Sequence, residues 1–384
     1  MLKIKPQPAD LWIQSASGGE AYLAWEILKL LDVHKPIRIL LTTNTDQGME
    51  VLEKAAQSLS ATKTFSIHCS YFPFDQPSIM QKAVEIISPK LMVLLETEIW
   101  PGLMLALKQR QCPVLIINGR ITQKSLRSYR LYPRLWPSIK PNRILAMSAL
   151  DAERFANLFQ IETPEVMYNI KFDRFNLSRM DSKENALDKF IYTNDLFVVL
   201  GSVRKEEETD IMQLISLIKQ KHPHMSMGLF PRHMHRVESW ITWLSTMPYP
   251  WILRSKINQS QPSGTIIIWD TFGELGSAYH RANAAFVGGS LAPLGGQNFL
   301  EPLSCGVIPV IGPYWDNFAW VGTDIIKQGL LKVVNTWEEV AHLLCSSLSQ
   351  PDQKEIVFNK ASAYIKARQG GTQQACSVIL DYLN

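Results

Sequence analysis

The sequence lacks any apolar run long enough to cross a membrane. A spanning helix needs about 20 consecutive, mostly apolar residues, and Glu96 and Glu98 interrupt the most apolar region of this chain. The opening stretch MLKIKPQPADLWIQSA also lacks the apolar core of a secretory signal. We therefore expect a cytoplasmic protein without a membrane-spanning segment.

Cysteine is scarce and scattered. The 5 cysteines contain no CxxC pair and are odd in number, so they indicate neither a disulfide framework nor a zinc site. The histidine pairs His222/His224 and His233/His235 are spaced i, i+2, which would put partners on opposite faces of a strand. This spacing disfavours a metal site, and free cysteines fit a reducing cytoplasm.

Charge is modest as well. Charged residues make up 19% of the chain and the net charge is +4, which is compatible with anionic ligands or membrane surfaces. No nucleic-acid-binding motif accompanies it, so we expect no nucleic-acid partner. A hydrophobic content of 46% indicates a globular protein, and a length of 384 residues predicts two domains.

Short apolar runs alternate with helical patterns along both halves of the chain. Runs such as Leu11–Ser15 and Leu91–Leu95 each end in a polar or glycine-containing loop that leads into a helix. This alternation predicts parallel sheets whose ligands gather at the carboxyl ends of the strands. A polar, charged segment at 173–194 separates the halves. We predict an α/β protein with two Rossmann-like α/β domains, residues 1–175 and 176–384, facing each other across a central cleft. The last helix could pack back on the first domain.

The stretch Gly288–Pro302, GGSLAPLGGQNFLEP, has the pattern of an anion-binding loop. A strand pattern leads into the first Gly-Gly pair, and after the second pair a helix is predicted to begin near Asn298. Paired glycines let the backbone approach a ligand closely, and a helix N-terminus favours a phosphate. Asn298 and Glu301 have the spacing of a capping box. A strand, a turn and a capped helix without any ligand is an equally supported interpretation.

Two other segments have side chains suited to chemistry or binding. Glu96 and Glu98 follow a predicted strand and precede a helix that opens at Trp100-Pro101. They could act as acids or bases, or Glu98 could simply cap that helix. Residues 124–143 contain six basic residues, three aromatic residues and no acidic one. This composition suits anionic membrane headgroups or a phosphorylated lipid, and equally a solvated helix face with a few core aromatics.

A series of motifs together resembles one family. In chain order the motifs are SGGE (17–20), FPFDQP (72–77), ETEIWPGL (96–103), NGRITQKSLRSY (118–129), SALDAERF (148–155), NIKFD (169–173), FPRH (230–233), GELG (273–276) and FVGGSLAPLGGQNFLEP (286–302). They resemble the Kdo (3-deoxy-D-manno-oct-2-ulosonic acid) transferases of lipid A and lipopolysaccharide synthesis, which are glycosyltransferases of the GT-B fold. The resemblance covers nearly the whole chain.

The resemblance implies a specific reaction. Kdo would pass from CMP-Kdo to a lipid A precursor, lipid IVA, with inversion at the anomeric carbon and with no metal or cofactor. Glu20 matches the family's general base and Glu98 its second essential acid. The acceptor hydroxyl must lose its proton as it attacks, so a carboxylate is needed. Fixed donors can hold the charge of a phosphate leaving group without a metal.

The resemblance also implies which residues bind the substrates, with the acceptor on the N-terminal domain and the CMP-sugar on the C-terminal domain. The expected donor-binding residues are Ser202, Arg232, Gly273, Glu274, Leu275, Gly295, Gly296, Gln297, Asn298 and Glu301. Of these, Glu301 should hold the ribose hydroxyls and the 273–275 loop should meet the cytosine. The expected acceptor and membrane contacts are Arg120, Arg127, Arg130 and Trp136. We expect peripheral attachment to the cytoplasmic face of the inner membrane.

Two other functions are also considered. One is a related glycosyltransferase that uses another CMP-activated or nucleotide-activated acidic sugar, and the other is a non-catalytic lipid- or nucleotide-binding homologue. The joint presence of Glu20, Glu98 and Arg232 argues against the second. The chain differs from the family pattern at several positions: Gln14 stands where a histidine is usual, Gly18 makes SGGE out of SVGE, and Gly201-Ser202-Val203 stands where Ser-Thr-His is usual.

Overall fold

The structure is a computed structural model that describes residues 7–60, 63–175, 185–191, 195–348 and 353–383. The described chain divides into two compact units. The first unit contains the described residues up to 175 and those from 367 onward, and the second contains the described residues between them. No helix among the described residues has both the length and the apolarity needed to cross a membrane.

The first unit is built on a parallel sheet. Its strands are β1 (Leu11–Ser15), β2 (Arg38–Thr43), β3 (Ser66–Tyr71), β4 (Leu91–Leu95), β5 (Val114–Gly119), β6 (Arg143–Ala146) and β7 (Glu165–Val166). Its helices up to that point are α1 (Gly18–Leu30), α2 (Asp46–Leu59), α3 (Pro77–Ile87), α4 (Pro101–Gln109), α5 (Gln123–Tyr129), α6 (Leu135–Ser138) and α7 (Ala149–Phe159), followed by a 3-10 helix at Ile170–Arg174. The described strands pair in the order β3-β2-β1-β4-β5-β6-β7.

The second unit repeats this plan. Its strands are β8 (Phe197–Val203), β9 (Ser226–Pro231), β10 (Trp251–Leu253), β11 (Ile266–Ile268), β12 (Ala284–Val287), β13 (Pro309–Ile311) and β14 (Lys332–Val333). Its helices are α8 (Glu208–Lys221), α9 (Val237–Leu244), α10 (Leu275–Arg281), α11 (Leu300–Ser304), α12 (Asp324–Lys327), α13 (Trp337–Leu348) and α14 (Lys354–Lys366). The described strands pair in the order β10-β11-β9-β8-β12-β13-β14, again all parallel. The predicted α/β class with two parallel sheets is therefore confirmed.

The strands of the first sheet are apolar on both faces because helices cover both. Residues of β1, β4 and β5 are all buried. Alternate side chains point to opposite faces of a strand, so Trp12 belongs to one apolar cluster with residues of α3, α4 and α7, while Ile13 belongs to another with residues of α1 and α2. Burial on both faces is typical of parallel sheets covered by crossover helices.

The chain returns to the first unit at its end. Helix α15 (Gly371–Leu383) packs against α1, and its residues Ala375 and Ile379 belong to the same apolar cluster as Ile13. The carboxylate of Asp173 accepts the backbone N–H groups of Gly370 at 2.7 Å and Thr372 at 2.6 Å. Acceptors at this position satisfy free N–H groups at a helix start. The first unit is therefore discontinuous in sequence.

Each sheet grows in two directions from its first strand. In the first unit β1 lies between β2 and β4, and in the second β8 lies between β9 and β12. Ligands of such sheets bind beyond the carboxyl ends of the strands at this switch point. A ligand site is therefore expected in the first unit at the loops after β1 and β4, and in the second unit at the loops after β8 and β12.

Candidate functional site

Glu20 lies in the first turn of α1, directly after β1. Ser17 caps this helix, and its hydroxyl accepts the N–H of Glu20 at 3.4 Å. Oε2 of Glu20 accepts the N–H of Ala16 at 2.5 Å, and Oε1 has no hydrogen-bond partner among the described residues. Burial, followed by the nearby charge of Glu98, raises the pKa of Glu20 to about 8. Glu20 is thus a buried carboxyl group with a raised pKa and one oxygen bonded to the backbone ahead of the helix.

Glu98 lies beyond the end of the neighbouring strand β4. Its Oε2 accepts two N–H groups, from the indole of Trp100 at 2.6 Å and from the side-chain amide of Gln14 at 3.2 Å. Glu98 is only 6% exposed. Burial raises the pKa of Glu98, although the bonds from Trp100 and Gln14 oppose that rise. Two buried carboxyl groups with raised pKa values therefore occupy the switch point of the first sheet, which is typical of functional sites.

Glu98 does not cap the helix that follows it. The first free N–H groups of α4, those of Gly102 and Leu103, donate to the carboxylate of Asp75 at 3.0 and 2.8 Å. Asp75 belongs to the FPFDQP motif of the preceding loop. Since the helix start is already satisfied by Asp75, the capping interpretation of Glu98 is removed.

A third carboxylate, Glu96, is neutralised by a lysine that the sequence analysis assigned no role. Lys171 Nζ lies 2.6 Å from Glu96 Oε1, and Asn118 Nδ2 donates to the same oxygen at 3.4 Å. The N–H of Arg120 donates to the Glu96 carbonyl at 3.4 Å, which places half-buried Arg120 at this end of the sheet. Glu96 and Asn118 both have positive φ, 54° and 57°. Such strained non-glycine residues cluster at functional sites.

The basic loop, defined here as residues 124–134, is exposed at the same end of the sheet. Arg127 and Arg130 lie on its surface, and Arg130 also donates to Asn157 Oδ1 at 2.5 Å. Leu131 and Tyr132 are 75% and 66% exposed. Exposed apolar side chains beside arginines are the composition of a membrane-interface segment.

The rest of the predicted binding segment lies elsewhere. Trp136 is 2% exposed and its indole N–H donates to the carbonyl of Tyr129 at 2.6 Å. The sequence analysis placed it at the membrane, and the structure corrects it to a core residue that supports the basic loop. Lys108, near the end of α4, donates to the Ser138 carbonyl, so the chain has reached the opposite end of the sheet by Ser138. Arg143 pairs there with Glu165 at 2.7 Å.

In the second unit, the first glycine pair does bind an anion, but the anion is a side chain of the protein. The carboxylate of Glu207 accepts the N–H groups of Gly289 at 2.6 Å, Ser290 at 3.2 Å and Leu291 at 3.3 Å, and also that of Arg204 at 3.1 Å. Glu207 is 1% exposed. Burial raises the pKa of Glu207, and these four N–H groups oppose that rise. The phosphate-cradle prediction is thereby corrected for this part of the loop.

Gly288 is needed because of this contact. A Cβ on Gly288 would lie 2.3 Å from Glu207 Oε1 and 2.6 Å from the Ser202 carbonyl. The glycine thus allows the loop after β12 to close on the loop after β8. Sequence reasoning missed Glu207, because its only local signal is a run of three glutamates at a helix start.

The second glycine pair is also bonded within the loop. The N–H of Gly296 donates to the Gly289 carbonyl at 2.8 Å, and that of Gln297 to the Gly288 carbonyl at 3.1 Å. Gly295 and Gly296 have φ of 81° and 79°, a region that favours glycine. These two N–H groups are therefore not available to a phosphate in this structure.

The helix after this loop begins later than predicted and is short. It begins at Leu300 rather than near Asn298 and has five residues. Oδ1 of Asn298 accepts the N–H of Leu300 at 3.2 Å, and Nδ2 of Asn298 donates to Glu301 Oε1 at 2.9 Å. Asn298 and Glu301 are therefore joined as a pair. The predicted contribution of a helix dipole to phosphate binding is corrected, since so short a helix has a weak dipole.

Basic side chains surround this loop. A Cβ on Gly289 would lie 3.6 Å from Arg204 Cγ and 3.2 Å from Gln297 Cγ, which places both side chains over the first glycine pair. Burial, and then the charges of Arg204, His235 and Arg232, lower the pKa of His233, so these charges lie near the His233 imidazole. Arg232 also opposes the rise that burial causes in the pKa of Glu301. The structure thus gathers positive charge where the sequence placed only Arg232.

Four further predicted residues have clear positions. Ser202 follows the end of β8 with φ of 55° and is half-buried. The carboxylate of Glu274 is held by Arg254 at 2.7 Å and by the indole of Trp269 at 2.9 Å. Gly273, with φ of 90°, has open space around its Cβ position, and its neighbour Phe272 is 83% exposed. Leu275 begins α10 beside them. An exposed ring beside an open glycine is suited to stacking on a base.

No group of three or more histidine, cysteine or acidic side chains in the described parts of the two units is arranged to hold a metal ion. His233 and His235 stack with ring centroids 5.5 Å apart.

Comparison with known proteins gives the same family that the motifs suggested. Residues 1–174 match the model of the family described as 3-deoxy-D-manno-octulosonic-acid transferase (kdotransferase). A 3-deoxy-D-manno-octulosonic acid transferase of Haemophilus influenzae is 27% identical over 98% of this chain and 88% of that protein. A 3-deoxy-D-manno-octulosonic acid transferase of Bordetella pertussis is 24% identical, again over 98% of this chain and 88% of that protein. The resemblance predicted from the motifs is therefore confirmed.

Solved structures add the fold. A glycosyltransferase from Rickettsia africae superposes with a TM-score of 0.60 at 13% identity, covering 99% of this chain and 100% of that one. A UDP-GlcNAc 2-epimerase from Neisseria meningitidis gives a TM-score of 0.56 at 13% identity, covering 97% and 99%. At such low identity these similarities concern the fold alone, and they confirm the predicted GT-B class.

Proposed function

We propose that this chain, a glycosyltransferase related to the 3-deoxy-D-manno-octulosonic acid transferases, transfers Kdo from CMP-Kdo to a lipid A precursor. The reaction would invert the anomeric carbon and need no metal. The observation that supports this most is the pair of buried carboxyl groups, Glu20 and Glu98, at the switch point of the unit that matches the family model.

The proposed reaction is a single displacement. Oε1 of Glu20 takes the proton of the acceptor hydroxyl as that oxygen attacks the anomeric carbon of the donor sugar. The bond from this carbon to the phosphate oxygen breaks on the opposite face, and CMP leaves as a phosphate monoester. A base with a pKa near working pH suits this role, and the pKa of Glu20, about 8, meets that condition.

The leaving phosphate would be held by side chains rather than by the loop backbone. Arg204 and Arg232 are placed by the second unit's loops, and guanidinium groups bind phosphate or carboxylate through paired N–H donors. An acidic sugar nucleotide has both a phosphate and a carboxylate, so two arginines fit its charge. Glu301, held by Asn298, would accept the ribose hydroxyls, and Phe272 would stack on the cytosine.

Membrane docking is proposed for the basic loop. Replacing Arg127 and Arg130 with alanine should weaken binding to anionic vesicles by roughly 30-fold at low salt, because each cation near such a surface contributes about 1 kcal/mol. The difference should shrink as salt rises. Vesicle sedimentation over a range of salt concentrations measures this. The matched control is Lys108→Ala with Lys140→Ala, which removes two exposed charges at the other end of the sheet. Equal loss in both double variants would argue against a dock at the basic loop.

The donor is tested by calorimetry with CMP-Kdo, CMP and UDP-GlcNAc as ligands. The proposal expects CMP-Kdo to bind more tightly than CMP, because the sugar carboxylate adds a contact, and expects UDP-GlcNAc to bind least. Preference for UDP-GlcNAc would contradict the proposed donor class. Equal binding of CMP and CMP-Kdo would indicate another CMP-activated sugar, and no nucleotide binding would favour a non-catalytic homologue.

A further inference from the structure

A buried chain of hydrogen bonds runs from the core of the first unit to Glu98. The indole N–H of Trp12 donates to Thr42 Oγ1 at 2.8 Å, and that hydroxyl donates to Gln14 Oε1 at 2.5 Å. Gln14 Nε2 then donates to Asn44 Oδ1 at 2.6 Å and to Glu98 Oε2 at 3.2 Å. Trp12 and Gln14 are 0% exposed and Thr42 is 1% exposed. Trp12 and Gln14 lie on β1 and Thr42 on β2, so strand register aligns the chain.

The direction of this chain is fixed from its first member. An indole N–H can only donate, so Thr42 accepts there and has its own proton left for Gln14. The short 2.5 Å bond from Thr42 points Oε1 of Gln14 at Thr42 and Nε2 at Glu98. A flipped amide would leave the Thr42 hydroxyl only its 3.5 Å contact with the Ile13 carbonyl as a donor. It would also place a carbonyl oxygen against Asn44 Oδ1 and Glu98 Oε2, and these contacts between acceptors would be repulsive.

The same logic fixes one oxygen of Glu98. Trp100 donates a second indole N–H to Oε2 at 2.6 Å, so both groups that contact this oxygen, the indole of Trp100 and the oriented amide of Gln14, donate to it. A proton on Oε2 would collide with them. Glu98 can therefore be protonated only at Oε1. Its ionised form accepts two hydrogen bonds from N–H groups in a buried site, where hydrogen bonds to a charged group are strong.

We propose that Gln14 is a positioning residue for the transfer reaction. With Thr42 and Trp12 behind it, Gln14 keeps Glu98 ionised beside Glu20, so that Glu20 is the member of the pair that binds and releases the proton. This inference rests on the proposed function, because it assigns the roles within the proposed base pair. It explains why two buried acids next to each other do not exchange roles.

The other titratable groups that face the pair stay constant in the test. Glu96, at the end of β4, and Lys171, in the 3-10 helix, both act on Glu20, and Tyr129 of α5 senses the charge of Glu98. None of them is changed in the variants below. A change in titration can then be assigned to the bond that Gln14 donates.

The test compares Gln14→Leu with the wild-type protein. Loss of the N–H donor should let Glu98 bind the proton. Glu98 then no longer carries the negative charge that raises the pKa of Glu20. We expect kcat to fall by about ten- to a hundred-fold with little change in KM, and the acidic limb of the pH–rate profile to move down by about one unit or more. Gln14→His, which retains an N–H donor, should restore part of the activity. An unmoved limb in a folded Gln14→Leu protein would overturn the proposal.

A second pair of variants covers the case in which Gln14→Leu does not fold. Thr42→Val keeps the shape of Thr42 but removes the hydroxyl that orients the amide, whereas Thr42→Ser keeps the hydroxyl. The proposal expects the acidic limb of the pH–rate profile to shift to lower pH in Thr42→Val and to lie at its wild-type position in Thr42→Ser. The same position of the acidic limb in both variants would contradict the proposal.

Titration without substrate separates this inference from the proposed function. In protein with carbon-13-labelled glutamate, the Glu20 and Glu98 carboxyl signals can be assigned with Glu20→Gln and Glu98→Gln and followed against pH. The inference expects Glu20 to titrate above Glu98 in the wild type and this order to reverse in Gln14→Leu. If the order of titration reversed in Gln14→Leu but the wild-type protein transferred no Kdo, only the proposed function would be rejected. An unchanged order would reject the role of Gln14.

Discussion

Replacing Glu20 with glutamine is expected to lower the transfer rate by about 10²- to 10⁴-fold, the usual contribution of a general base. The amide oxygen can still accept the N–H of Ala16, so the start of α1 should stay folded. The matched control is Glu26→Gln on the same helix, whose carboxylate pairs with Lys29 at 2.9 Å on the surface. The control should keep near-normal activity. A Glu20→Gln protein with more than a tenth of normal activity would show that the base lies elsewhere.

The pH dependence of the wild-type protein should follow the same group. The pKa of Glu20 is raised from 4.5 to about 8 by burial and by the charge of Glu98, and the base must be ionised, so kcat/KM should rise with pH through about 8. The folded state binds this proton more tightly than the unfolded state, so the stability linked to Glu20 is full at low pH and is lost as pH rises through about 8. Thermal unfolding at pH 9 should therefore find Glu20→Gln more stable than the wild type. If the stability difference between the wild type and Glu20→Gln were the same at low and at high pH, the raised pKa of Glu20 would be contradicted.

Replacing Glu207 with alanine is expected to reduce the free energy of unfolding by about 2–5 kcal/mol. Four N–H groups, those of Arg204, Gly289, Ser290 and Leu291, would lose their acceptor, and each unsatisfied buried donor costs about 1–3 kcal/mol unless water enters. The loop that holds Arg204 and the glycine pairs would also lose its fixed position, so CMP-Kdo binding should weaken. Urea unfolding and calorimetric titration measure the two effects.

The neighbouring Glu206 provides the control for Glu207. Its carboxylate is 48% exposed and lies 3.8 Å from Arg204 Nε, and surface changes usually alter stability by less than about 0.5 kcal/mol. Glu206→Ala removes the same charge one residue away. If both variants lost equal stability, the bonds of Glu207 to the glycine loop would not be the cause.

Much of the fold follows from local sequence. The predicted strands at Leu11–Ser15 and Leu91–Leu95 coincide with β1 and β4, because apolar runs bounded by polar loops mark strands buried on both faces. Glu98 was identifiable from its place after a predicted strand, because the carboxyl ends of parallel strands meet at one edge. Glu20 was assigned through the resemblance of the SGGE motif to the family.

The parts that sequence reasoning missed depend on contacts between distant elements. The bond from Glu207 to the glycine loop needs β8 beside β12, and nothing in the local pattern shows that the loop has its own anion. The chain from Trp12 to Gln14 needs the register of β1 against β2. Trp136 was misplaced because its basic neighbours suggested a surface, whereas a large aromatic side chain that finds a hydrogen-bond partner is often buried.

The most direct measurement is a transfer assay with CMP-Kdo and a tetra-acylated lipid A precursor in detergent, with the lipid product analysed by mass spectrometry. The proposed function predicts a mass increase of one or more Kdo units with the wild-type protein, and a product reduced by orders of magnitude with Glu20→Gln. A lipid of unchanged mass, from folded wild-type protein that binds CMP-Kdo, would contradict it.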